Sequence, residues 1–165
     1  MVGKTKQLHQ GQIDVLLCVA KYRFVSVQQL GKQLGLRSKG SLLAKIAILE
    51  NIGYLDRRYE LTYKISGRPA SFSITPSGLR YLRTTDQASY ISDATIKSNY
   101  KDKTAALHTI DNYIELFAMA QQLQRLHTGM AVYTPRQLAV FDYFPKPLPD
   151  LYAVLKKVSK LRASF

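Results

Sequence analysis

Helical periodicity in three successive stretches, a switch to alternating periodicity after Gly53, and a further long helical pattern after residue 104 predict an α+β chain. The order within residues 1–85 is helix, helix, helix, then a hairpin with an arginine at its tip. That is the order of a winged helix-turn-helix domain. Residues 86–103 read as a linker. Residues 104–165 read as a long helix followed by a small mixed α/β part.

The first helix falls on His9–Tyr22, where Ile13, Leu16, Leu17 and Ala20 recur at helical spacing. A second opens at Ser26, whose hydroxyl can accept from the Gln29 N–H while Gln29 reaches back to the Ser26 N–H. Val25 before the cap and Leu30 inside form a hydrophobic staple. Gly35 limits this helix to Val27–Leu34. A third runs from the cap Ser38 to Ile52, with Leu42, Ile46 and Leu49 on one stripe.

After Gly53 the period becomes two. Leu55, Tyr59, Leu61, Tyr63 and Ile65 share one side of an extended segment, the turn SGRP follows, and a strand covers 70–75. Thr75-Pro76 starts a fourth helix, with Thr as cap and Pro in its first position. The stretch DQASYISDATIKSNYKDK is polar and weakly periodic, hence the linker. Thr104–His127 fits a long helix. The tail to Leu155 reads as strands around the Pro-rich turn Pro145–Pro149, with a basic end at Lys156, Lys157, Lys160 and Arg162.

Charge points to a partner. The chain of 165 residues carries a formal net charge of +13. Residues 1–85 hold fourteen Lys/Arg against four Asp/Glu, a net of +10, while residues 86–165 hold ten against seven, a net of +3. A basic first half beside a nearly neutral second half fits a polyanion such as duplex DNA. An anionic membrane surface fits less well, because there is no basic amphipathic helix with bulky aromatic anchors. No apolar run is long enough to span a bilayer, and MVGKTKQLHQ lacks the apolar segment of a signal peptide, so the expected location is the cytoplasm.

The second helix of a helix-turn-helix pair lies in the major groove. Its outward face here carries Arg37, Ser41, Ala44, Ile48 and Asn51, flanked by Lys39 and Lys45. Arg37, Lys39 and Lys45 are the candidate base readers, and Ser38 and Ser41 can read or bind phosphate. Gln28, Gln29 and Lys32 on the preceding helix are candidates for backbone phosphates. Lys64 and Arg68 bracket the wing turn and are the wing's candidates. Ala44 and Ile48 either touch thymine methyls or pack on the protein. Arg57 and Arg58 alternate, so at most one of them meets DNA. The face is sparse, which predicts affinity dominated by phosphate contacts and modest direct readout.

Catalytic residues, metal ligands and cofactors are not expected. His9, His108 and His127 are scattered without metal-ligand spacing, and the lone Cys18 sits in an apolar run. Pro149-Asp150 before a strand-like segment is the only hint of an acidic nuclease site. Such a site needs further carboxylates, and none follows Asp150, so Asp150 reads as a turn residue.

Residues Gln12–Arg83 resemble winged helix regulators of the MarR and PadR type, and GRPASFSITPSGLRYL looks like a PadR wing with its following helix. Combined with RFVSVQQLGKQLG, LHTIDNYIEL and LPDLYAVL, the chain is more similar to the replication-relaxation family of plasmids and integrative elements. That resemblance implies an accessory of plasmid replication or conjugative transfer acting at an origin, with relaxase or replication proteins as further partners. The PadR-like alternative implies a transcriptional repressor that forms a homodimer through Thr104–His127. A winged helix serving only as a protein-interaction module is a third possibility.

Overall fold

A computed structural model describes residues 7–155. The order is α1 Gln10–Tyr22, β1 Val25–Ser26, α2 Val27–Gln33, α3 Lys39–Asn51, β2 Leu55–Arg58, α4 Leu61–Ile65, β3 Ser71–Ile74, α5 Pro76–Arg83 and α6 Asp93–Asn99. A short 3-10 helix Tyr100–Thr104 follows, then α7 Leu107–Leu126, β4 Met130–Tyr133, α8 Pro135–Leu138 and β5 Tyr152–Leu155. The fold is mixed α+β with two small antiparallel sheets, one ordered β1-β3-β2 and the other β4-β5.

The signals for the first three helices form as the local chemistry dictates. Ser26 accepts from the Gln29 N–H at 3.3 Å and Gln29 Oε1 accepts from the Ser26 N–H at 3.1 Å. This reciprocal cap satisfies two backbone donors at the start of α2. At the end of α3, Gly53 takes φ +77 while the Tyr54 N–H donates to the Leu49 carbonyl at 2.9 Å. This Schellman closure needs a residue without a β-carbon penalty.

The hairpin departs from expectation after Arg58. Leu55↔Ile74 through Arg58↔Ser71 pair in register, but Leu61–Ile65 is a helical turn, not strand. Gly67, at φ +66, caps this turn instead of closing a tight hairpin, with the Arg68 N–H donating to the Tyr63 carbonyl at 2.9 Å. Alternation is a poor guide here. Of the set expected on one side, Leu55 and Tyr63 are buried, while Tyr59, Leu61 and Ile65 are 48%, 73% and 79% exposed. Residues four apart share a helix face, so Leu61 and Ile65 turn outward together.

The expected linker is structured. Ser92 caps α6 by accepting from the Thr95 N–H, and Ala88, Ile91, Ile96, Asn99 and Asp102 are all buried. The apolar members are too few for a periodic signal, yet they join the main core. That core runs through α1, α3, β3 and α5 to Ile96, Phe117, Ala120 and Val132 without a break. Phe117 of α7 stacks on Tyr22 of α1 with ring centroids 3.8 Å apart. Removing a ring buried to that degree costs about 3–5 kcal/mol. The tail holds its two strands, with α8 between them, and the basic end from Lys156 lies outside the described residues. Among the described residues no helix is long and apolar enough to cross a membrane.

Candidate nucleic-acid interface

α3 presents the predicted reading face to solvent because Leu42, Ile46 and Leu49 turn inward and hold the helix on the core. Arg37, Ser38, Lys39 and Ser41 are exposed and Lys45 is half-buried. The Ser38 hydroxyl caps the helix by accepting from the Ser41 N–H, and Lys45 Nζ donates to Ser41 Oγ at 3.1 Å. Ser38 is therefore partly occupied as a cap, and Ser41 and Lys45 form one polar unit. Among the described residues, Arg37, Lys39 and Lys45 make no ion pair. Ala44 and Ile48 are exposed, so no other described part of the chain covers them.

Gln28 and Lys32 are exposed on α2, as a backbone-contacting role requires. Gln29, the third candidate on this helix, is instead buried: it turns inward to cap α2, and its Nε2 donates to the Ile114 carbonyl of α7 at 2.7 Å, so it does not face a phosphate. α7 thereby braces α2 from the side opposite to its solvent face.

The predicted wing separates into parts. Lys64 is exposed on α4. Arg68 is not a free tip: its Nη1 lies 2.9 Å from both carboxylate oxygens of Asp111 on α7. Sequence reading missed this pair because the partners stand 43 residues apart. Arg58 is likewise engaged, with Nη1 donating to the Ala105 carbonyl at 2.9 Å and Nε to Glu60. Arg57, its outward neighbour, is exposed, its guanidinium 5.7 Å from the Tyr59 ring centre. Tyr59 is 48% exposed.

A second cationic group lies deeper, and no motif signals it. Asp102, 2% exposed, receives Arg23 Nη2 at 2.6 Å, Arg136 Nη2 at 3.0 Å and Asn99 Nδ2 at 2.8 Å. Arg23 Nη1 also donates to Tyr113 Oη at 2.6 Å, and Arg136 Nη1 to the Ala20 carbonyl at 3.1 Å. Burial lowers the Arg136 pKa, with Asp102 opposing. Burial also pulls the Arg23 pKa down, but the hydrogen bond and charge of Asp102 outweigh it and the net shift is upward. Both guanidiniums stay charged.

Cys18 is buried, and desolvation pushes its thiol up to about 12 against the opposing charge of Lys21. A thiol of this kind is neutral and unreactive at neutral pH. Among the described residues no group of three or more His, Cys, Asp or Glu side chains could hold a metal ion. His108 and Asp150 line one open cleft along α7, together with Glu115. In comparisons with known proteins, no family model matches the chain and no curated protein matches it.

Proposed function

We propose that this chain is a winged helix-turn-helix protein that binds duplex DNA, with α3 in the major groove and α4 and its flanks as a modified wing. One observation carries the reading. Lys39 and Lys45 with Ser41 lie in the N-terminal half of α3, exposed Arg37 stands just ahead of its Ser38 cap, and none of the three cations has an acidic partner among the described residues. Unneutralised cations on an exposed helix face suit phosphate contact and release of counterions. The net +10 of residues 1–85 supports the same partner.

Within that class, the resemblance to the replication-relaxation family favours an accessory of replication or conjugative transfer acting at an origin of a mobile element. The repressor alternative needs a dimer through residues 104–127. Ile110, Phe117 and Ala120 of α7 are already buried in the chain's own fold, which leaves Leu107, Met119 and Leu126 as the exposed large apolar residues of that helix. This favours the first reading.

The test is binding to random and replicon-derived duplexes over a range of salt. The triple variant Arg37→Ala, Lys39→Ala, Lys45→Ala is expected to lower the slope of log K against log salt by up to about 2.7, at about 0.9 per phosphate contact. Lys97→Ala on α6 serves as control. An unchanged slope in the triple variant rejects the assignment of α3. Weak, salt-insensitive binding by the wild type rejects DNA as the partner.

A further inference from the structure

We propose that the cleft between the end of α1, the 3-10 helix, α7 and the start of α8 is a binding site for a small organic anion, a carboxylate or phosphate monoester on a single flat apolar ring. The site is independent of the DNA-binding reading.

The cavity measures about 220 Å³. A dry cavity of about 150 Å³ admits benzene, so this one has room for one ring and one anionic group. Leu116, Pro135, Leu151 and the ring of Tyr113 supply apolar wall.

The charge is unbalanced toward cations. Lys21, Arg23, Lys101 and Arg136 line the cleft, against Asp150 in the lining and Asp102 in ion-pair contact with both arginines. Four cations face two carboxylates, a net of +2. A single carboxylate, Asp102, serves both guanidiniums, and each keeps N–H donors to spare. Partly buried positive charge in excess is costly, and an anion seated beside it relieves that cost.

Two further observations fall on the same wall. Tyr22 and Thr134 both line the cavity, and their hydroxyls are buried without a hydrogen-bond partner. Thr134 and Gln137 stand in a capping-box arrangement, with Gln137 Oε1 accepting from the Thr134 N–H at 3.2 Å, but the Thr134 hydroxyl makes no hydrogen bond of normal length. Buried unpaired hydroxyls are uncommon and call for an explanation.

Arg23 is also strained. It is the only non-glycine described residue at positive φ, with φ +70 and ψ −54, and the Phe24 N–H donates to the Tyr22 carbonyl at 2.8 Å across it. That is a γ-turn of the rarer, strained hand. Strain of this kind persists where surrounding contacts over-determine it, and it gathers at ligand sites. Here it delivers one guanidinium to the cleft beside Arg136.

Calorimetric titration with benzoate, phenyl phosphate, benzamide and inorganic phosphate tests the proposal. Both aromatic anions are expected to bind and to raise the melting temperature. Benzamide, which lacks the charge, is expected to bind at least about tenfold more weakly. Leu116→Trp fills the cleft without touching a charge and is expected to abolish binding. Lys101→Gln at the exposed rim is expected to weaken it about two- to fivefold with the fold intact. Three results overturn the proposal: no binding of either aromatic anion at millimolar concentration, binding unaffected in both variants, or inorganic phosphate binding as tightly as phenyl phosphate. The last would remove the apolar wall from the site.

Discussion

Asp102→Asn should be among the most damaging single-atom changes available in this chain. The carboxylate is 2% exposed, and its partners Arg23 and Arg136 have side chains 25% and 14% exposed. The amide keeps the shape, removes the only negative charge in direct contact with both guanidiniums, and turns an N–H₂ toward one of them. Breaking a buried ion pair from one side costs about 3–5 kcal/mol, because the surviving charge is left unpaired. Two cations are stranded here, although Arg23 keeps Tyr113 and some solvent, so a central value of about 4 kcal/mol is expected. At about 2–4 °C per kcal/mol for a chain of this size, the melting temperature should fall by roughly 10 °C. Urea unfolding followed by far-UV circular dichroism measures the free energy directly. Asp93→Asn, which removes the exposed partner of Arg83, is the matched control and should stay within about 0.5 kcal/mol. A loss below about 1 kcal/mol in Asp102→Asn would show that the arginines re-solvate freely, and would refute the picture of a buried triad.

Gly78→Ala should destabilise by about 1–3 kcal/mol in the same urea assay, since an added β-carbon would stand 2.5 Å from the Tyr54 carbonyl oxygen, a backbone atom that cannot swing away. Alkaline pH should weaken the fold through Cys18. Its thiol is raised from the ordinary 9.0 to about 12, so its contribution is complete below pH 9 and is lost as the pH climbs toward 12. Urea midpoints at pH 8, 10 and 11 should fall less steeply in Cys18→Ala than in the wild type, and equal slopes would contradict this. Arg68→Ala should change DNA affinity less than Arg37→Ala in a mobility-shift assay at fixed salt, because Asp111 already neutralises Arg68.

What the sequence revealed and what it hid follow one physical division. Ser26, Gly35, Ser38, Gly53 and Thr75-Pro76 act over three or four residues, so their chemistry could be read directly. The helices they bound lie within a few residues of expectation. Tyr59–Ile65 misled because alternation across a short apolar segment cannot distinguish a strand from one helical turn, and exposed Leu61 and Ile65 are where the two differ. The 86–103 stretch looked polar because its buried members are scattered. Its role comes from contacts such as Arg23 with Asp102, 79 residues apart, which no local pattern records. The α3 face was legible as a list of side chains. The neutralised state of Arg68 was not, for the same reason.

The division of labour between arginine and lysine sharpens the proposed mode of binding. Every ion pair among the described residues uses an arginine: Arg23, Arg58, Arg68, Arg83 and Arg136. None uses a lysine. Guanidinium is the weakly hydrated, bidentate cation suited to fixed carboxylates, and ammonium is the strongly hydrated point charge suited to mobile contact with phosphate. The paired arginines are thus engaged within the chain, and the charge offered outward is lysine together with Arg37, Arg57, Arg80 and Arg125. Bidentate arginine contacts to guanine are the commonest specific reading of duplex DNA. With Arg37, just ahead of the Ser38 cap, as the one unpaired arginine beside α3, discrimination between sequences should rest on that residue. A panel of single base-pair changes should therefore show one dominant position, and Arg37→Lys should flatten it while leaving the salt slope unchanged.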